Sequence, residues 1–265
     1  MKDGANKLVA AIGETISTVP KIYDDVIQPS AQEVGRFAAR VPRAINAAFS
    51  NLDKWIANRE YSVEETKKIL AKKLEKIDDK KITTPELYVA VPAIQAISYS
   101  MDSEELRELY ANLLAKAMNT DTKEMVHPAF VNIISQMSPL DAQVLHYLFE
   151  QPDKDMPILN LIASRSISSD EISYIILQTN ISPISFGSIE AVSLSVENLS
   201  RNNLINISDS QHTDGYDSII MSDNYKTFYE NQCNNMPEMY PDLSLQKKNC
   251  GLTALGKAFC DICLV

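Results

Sequence analysis

The sequence predicts a mainly α protein, with an N-terminal and central helical bundle followed by a winged-helix-like α+β C-terminal domain. Three observations favour this class. The chain has 7 glycines in 265 residues, which is few for a hairpin-rich or doubly wound fold. Apolar residues recur at intervals of three and four positions along most of the first half. Proline, serine and acidic residues stand where helices are expected to begin.

Residues 1–60 form the first predicted region, which is amphipathic and helical. A short helix is predicted over Asn6–Val19 and a longer one over Val34–Ile56, both from apolar stripes at helical spacing. Arg36, Arg40 and Arg43 lie largely off the second stripe, in a stretch to residue 81 with 12 basic and 7 acidic residues. They are candidate contacts for an anionic membrane surface or another anion, and a solvated helix face is the alternative.

Residues 61–150 form the predicted helical bundle. A lysine-rich helix begins near Ser62, and a second helix follows Pro85. Asp102 is the expected cap of a third, and Pro128 and Pro139 stand at the starts of two more, the last behind Ser138. The predicted helices cover 62–81, 86–98, 102–118, 128–136 and 139–150.

Residues 151–265 form the predicted winged-helix-like domain, because the sequence becomes richer in Ser, Asn and Ile after Asp153. Three helices are predicted first, then a short hairpin, then two helices, the last capped by Thr253. The helices are at 159–164, 171–178, 189–202, 225–234 and 254–264, and the hairpin strands are at 204–208 and 218–222.

Charge and cysteine usage limit the classes of partner and compartment. The net charge is −10, and residues 141–265 hold 7 basic against 16 acidic residues, a net of −9. Nucleic acid is therefore an unfavoured partner, since phosphate binding needs clustered Lys and Arg. All four cysteines lie in the last 33 residues, and we find neither a secretory leader nor an apolar run long enough to span a membrane. We expect a cytoplasmic protein, with peripheral contact at the inner membrane left open.

Two short motifs that resemble ligand-binding sites have ordinary structural explanations. Residues 251–258 approach the spacing of a phosphate-binding loop, but Ala258 replaces the metal-binding hydroxyl, and too few residues follow for a nucleotide-binding sheet. Cys260 and Cys263 have metal-ligand spacing, yet they fall within a predicted helix, where buried thiols are the better explanation. The sequence predicts no metal and no cofactor.

His127 is the residue that most resembles a general base, and Tyr110, Glu108 and Asp141 are its candidate neighbours in the bundle. No nucleophile stands at a definable spacing from it, so the sequence assigns no catalytic residue. A histidine directly before Pro128 at a helix start is more often a capping or packing residue. We therefore name these four side chains as candidate binding residues.

Several blocks of the bundle resemble the bacterial Abi-alpha family, named for abortive infection. Their order and spacing carry the resemblance over about residues 82–150, with further support near 203–205 and 252–259. The blocks are Pro92–Tyr99, Glu105–Leu114, Val126–Val131 and Met137–Ala142. The family is associated with limiting phage multiplication, so the resemblance implies a role in defence and supplies no active site.

These observations lead to three hypotheses. The first is a non-enzymatic defence protein that binds a phage or host component, with a protein as the expected partner. The second is an effector whose N-terminal amphipathic helices engage the membrane. The third, a DNA-binding regulator, is disfavoured because the candidate recognition helix carries Glu190 and Glu197 against Arg201. The oligomeric state stays open.

Overall fold

The computed structural model describes residues 69–97, 103–169, 171–209, 215–235 and 238–265. It divides into two compact units, and the division falls between Ser135 and Gln136. Both predicted N-terminal helices lie outside the described residues, as do Arg36, Arg40 and Arg43. The predicted domain limits stay predictions.

The described part of the first unit is helical. Residues 69–74 are helical, and a 3-10 turn covers Asp79–Lys81. Helices α1 (Leu87–Ile97), α2 (Glu104–Ala117) and α3 (Ala129–Ser135) follow and pack against one another. Their core is formed by apolar side chains at helical spacing that are almost fully buried: Ile94, Ile97, Leu109, Leu113, Leu114, Phe130 and Ile134.

The helix starts show how closely local sequence fixes these elements. Ser103, and not the predicted Asp102, caps α2: its hydroxyl accepts a hydrogen bond from the Leu106 amide at 3.2 Å. Pro92 lies inside α1 without ending it. In the second unit, α4 (Pro139–Glu150) begins as predicted behind Ser138, with a complete capping box.

The rest of the second unit contains a four-stranded antiparallel sheet, so the mainly α prediction is wrong and the fold is α+β. The strands are β1 (Asp155–Ser166), β2 (Ile172–Ile181), β3 (Ile205–Ser208) and β4 (Asp242–Leu252), in the order β2-β1-β4-β3. The helices are α5 (Ile189–Arg201), α6 (Tyr216–Met221), α7 (Asp223–Asn234) and α8 (Ala254–Cys263).

Three predicted elements of this unit have the wrong type. The segments 159–164 and 171–178 were expected to be helices, but they lie in β1 and β2. The segment 218–222 was expected to be a strand, but it ends α6, and Ser222 then caps α7. The predicted hairpin therefore does not form, and the winged-helix-like interpretation is wrong with it. Strand β3 pairs instead with β4, with Ile207 opposite Cys250.

One face of the sheet is covered by α6 and α7. The side chains of Leu159, Leu161 and Ile181 point from β1 and β2 into a cluster that these helices complete. The helices contribute four buried residues: Tyr216, Ile219, Tyr225 and Phe228. Alternate residues of β2 point to the opposite face, as the twofold period of a strand requires.

Candidate functional site

Two of the four candidate residues, Glu108 and Tyr110, lie on α2 and have different surroundings. The Glu108 carboxylate is 2.7 Å from the Lys73 ammonium, and this side chain is 42% exposed. Tyr110 is completely buried, and its hydroxyl donates to the Val131 carbonyl at 3.5 Å. Glu108 is thus a surface ion-pair residue, whereas Tyr110 belongs to the core of the first unit.

His127 is exposed at the start of α3. Its Nδ1 accepts a hydrogen bond from the Ala129 amide at 3.1 Å, and its ring lies 6.1 Å from that of Phe130. Since Nδ1 acts as the acceptor, the neutral ring carries its proton on Nε2. The side chain therefore satisfies an amide of the first helical turn, where such groups have no partner within the helix.

The connection between α2 and α3, residues 118–128, is held by several hydrogen bonds. The Thr120 amide donates to the Lys81 carbonyl at 2.9 Å, and the Thr122 hydroxyl donates to the Lys116 carbonyl at 2.7 Å. The Lys81 ammonium is 2.6 Å from the Asp121 carboxylate, and this partner raises the pKa of Lys81. A firmly held connection of this kind can present fixed side chains to a partner.

The exposed surface of this connection combines an apolar side chain with polar ones. Met125 follows Glu124 on the short 3-10 turn Lys123–Met125 and is 58% exposed. Two residues further on, His127 is exposed as well. We call residues 123–128 the His127 surface. Methionine suits a binding surface because its flexible thioether adapts to the shape of a partner.

Asp141, the fourth candidate, is buried in the second unit at 4% exposure. Its Oδ2 accepts from the Ser138 amide at 2.7 Å and from the Asn198 side-chain amide at 2.9 Å. Asn198 also donates to the Gln136 carbonyl at 3.0 Å, and Arg201 donates to the Asn198 side-chain oxygen at 2.8 Å. Asp141 thus links the start of α4 to the end of α5.

The cysteines differ in exposure. Cys233 is exposed, whereas the other three are buried. Burial raises the pKa of Cys250 and of Cys260 to about 12, and it raises that of Cys263 well above the ordinary value. Within the described residues, no group of three or more His, Cys, Asp or Glu side chains is placed to hold a metal ion.

The segment with phosphate-loop spacing is the junction between β4 and α8. Thr253 caps α8 as predicted, and its Oγ1 accepts from the Gly256 amide at 2.9 Å. Gly256 is buried against the backbone of Leu204, where a side chain would have no room. The glycine that resembles a phosphate ligand therefore serves close packing.

A cavity of about 210 Å³ lies at the end of β2. Its wall includes Ser182, Pro183, Ile189 and Tyr225. The volume is below the ~300 to 1,000 Å³ of typical small-molecule sites. This cavity therefore does not support a cofactor or substrate site.

An exposed apolar row on β2 is the feature that sequence reasoning missed. Ile172, Tyr174 and Ile176 are 69%, 62% and 49% exposed, and they project on the same side of the strand. We call these three residues the β2 row. Residues 172–176 do not alternate apolar and polar side chains, so the signal that could have indicated a strand is their content of β-branched and aromatic residues. No described helix is long and apolar enough to cross a bilayer.

Comparison with known protein families identifies a match. The family model described as abortive infection alpha matches residues 58–263. This range includes the His127 surface, the β2 row and all the helices and strands described above. No curated protein and no solved structure matches the chain.

Proposed function

This chain belongs to the abortive infection alpha family, and we propose that it acts in phage defence by binding a phage or host component through the His127 surface. The observation that carries the proposal is the exposure of Met125 and His127 on a connection that hydrogen bonds hold in place. Binding residues are found disproportionately on connections that a rigid scaffold holds in place, and an exposed methionine can adapt its shape to a partner.

The surroundings of the candidate residues favour binding over catalysis. The Tyr110 hydroxyl is used inside the core, and the Glu108 carboxylate is paired with Lys73. The Nδ1 atom of His127 is occupied by a backbone amide. A general acid–base site needs its groups directed at one reacting atom. These groups each make a separate structural contact, which argues against a shared acid–base site.

Charge favours a protein partner over nucleic acid. Helix α5, the candidate recognition helix, carries Glu190 and Glu197, and its Arg201 donates to Asn198. The excess of 16 acidic over 7 basic residues in 141–265 opposes binding to a phosphate backbone. A mixed surface with one exposed methionine fits a protein partner better.

The test is phage challenge of bacteria that express the full chain. Met125→Glu places a charge on the exposed apolar side chain, so we expect it to abolish protection while the melting temperature stays unchanged. His127→Asn keeps a side-chain acceptor for the Ala129 amide, and we expect it to retain stability and most protection. His127→Ala removes that acceptor and should lose protection only as far as folded protein is lost.

A matched control is Tyr88→Glu, which places the same charge on a residue that is 60% exposed on α1. We expect this variant to protect fully. Full protection by Met125→Glu would show that the His127 surface is not the binding site. A stable but inactive His127→Asn protein would show that the imidazole itself takes part, and would reopen the question of catalysis.

A further inference from the structure

Strand β2 is an edge of the four-stranded sheet, because β1 alone pairs with it in the part of the chain that the structure describes. Natural edge strands are usually protected by charged residues, proline or bulges. Residues 172–181 contain neither a charged residue nor proline. The regular part of the pairing covers Ile172–Ile176, and the irregularities in register lie beyond it, opposite Leu159–Ile162.

The hydrogen bonding of the hairpin shows which backbone groups face the open edge. The Ile167 amide donates to the Glu171 carbonyl at 2.9 Å, so this pair is of the hydrogen-bonded type. Because such pairs alternate with non-hydrogen-bonded ones, Ile172, Tyr174 and Ile176 direct their N–H and C=O groups away from β1. The residues with exposed apolar side chains are therefore also those with outward-facing backbone groups.

We propose that the β2 edge pairs antiparallel with the β2 edge of a second copy, about a twofold axis at Tyr174. In this register Tyr174 lies opposite its own counterpart, and Ile172 lies opposite Ile176 of the second copy. Each of these three pairs exchanges two backbone hydrogen bonds and places two apolar side chains side by side. The two four-stranded sheets join into a single sheet of eight strands, and the twofold symmetry limits the assembly to a dimer.

Self-complementarity and charge indicate that the partner of the β2 edge is a second copy of this chain. The β2 row reads Ile-Tyr-Ile in both directions, so an antiparallel copy matches it residue for residue. Residues 141–265 have 16 acidic and 7 basic residues, so contact between two copies through the charged surfaces of this part is unfavourable. The uncharged strand avoids this repulsion, and Glu171 lies opposite Leu177 of the second copy instead of another acid. This interface shares no residue with the His127 surface.

Sedimentation of the full chain tests the proposal. We expect a concentration-dependent dimer of twice the 29.6 kDa chain mass. Tyr174→Lys places two ammonium groups opposite each other at the axis and should raise the dimer dissociation constant by about tenfold or more. Leu194→Lys is the matched control, since Leu194 is 70% exposed on α5, and it should leave the dimer unchanged. Circular dichroism melts establish that each variant is folded.

Cysteine cross-linking tests the register in a Cys233→Ser background, which removes the exposed thiol. Tyr174→Cys alone should form a covalent dimer on mild oxidation. Ile172→Cys and Ile176→Cys should cross-link when mixed, but each should remain uncross-linked alone.

Several results would overturn the proposal: a monomer at every concentration, a dimer insensitive to Tyr174→Lys, open-ended aggregates, or cross-links in another register. Defence is measured separately. If Met125→Glu stays dimeric but loses protection, both the dimer and the binding role of the His127 surface are supported. If the wild type is monomeric and still protects, only the dimer is rejected.

Discussion

Replacing Gly256 by alanine tests the packing of α8 against the chain that enters β3. An added Cβ would lie 2.8 Å from the carbonyl carbon of Leu204, and closer still to its oxygen. Carbon atoms normally approach to about 3.5 Å, so the helix or the Leu204 backbone must move. The Leu204 carbonyl also accepts from the Thr253 amide at 3.0 Å, which ties the start of α8 to the same place. Movement therefore strains or breaks this hydrogen bond.

The expected cost follows from three contributions. Overpacking of a buried site costs about 1 to 3 kcal/mol. Loss of the Thr253 hydrogen bond adds about 0.5 to 1.5 kcal/mol. The better helix propensity of alanine returns about 1 kcal/mol. We therefore expect Gly256→Ala to lower the free energy of unfolding by about 0.5 to 3.5 kcal/mol, with a central value of about 2 kcal/mol.

Equilibrium urea unfolding measures this change, and Gly251→Ala is the matched control. Gly251 lies five residues earlier in the same motif, and an added Cβ there would meet the Asp155 Cβ at 3.3 Å and the Lys154 oxygen at 3.8 Å. A shift of a few tenths of an ångström between β4 and β1 accommodates it, so we expect a loss below about 1 kcal/mol. If Gly256→Ala is as stable as Gly251→Ala, close packing does not explain the glycine.

Three further predictions concern buried groups. Asp141→Ala should lower the free energy of unfolding by about 2 to 3 kcal/mol, because it removes part of the capping box of α4 and an acceptor of the Asn198 amide. The control Ser188→Ala removes only a cap of α5 and should lower it by about 1 kcal/mol. Equal losses of the two variants in thermal unfolding would contradict the buried link between Asp141 and Asn198. At neutral pH iodoacetamide should label one thiol of the folded protein, Cys233, and intact mass showing more than one label would refute the burial of the others. Burial raises the pKa of Cys260 from 9.0 to about 12, so the folded state holds its proton above pH 9 while the unfolded state loses it. The free energy of unfolding should therefore fall as pH rises above about 9, and Cys260→Ala should make this fall with pH less steep. An equally steep fall in the variant would show that Cys260 is not its cause.

The helices were largely predictable because their signals are local. Ser138 and Asp141 form the capping box that their spacing indicates, and Thr253 caps α8. These contacts depend on residues within one turn of each other. Local chemistry also placed His127 at a helix start, where its ring accepts from the Ala129 amide.

The sheet could not be predicted in the same way because its signals depend on distant partners. Most of β1 is buried on both faces, so it gives a nearly continuous apolar run, interrupted by Asn160, that periodicity cannot distinguish from a helix. Strand β4 was missed because Gln246, Lys247 and Lys248 make it polar, although Leu243 and Leu245 face the apolar cluster. The β2 row was hidden by the same error, since exposure of a strand edge depends on which strands pair.

The central position of β4 has a kinetic consequence. Strands β1 and β2 are joined by a short turn and can pair early, but β4 must insert between β1 and β3. The Asn160 amide, for example, bonds to Gln246, which is 86 positions away. Closing such a loop is entropically costly, and pairings between distant segments fold slowly. Before β4 pairs with β1, both edges of the β1–β2 hairpin are unpaired. The folding chain is therefore most prone to misassociation with other chains at this stage.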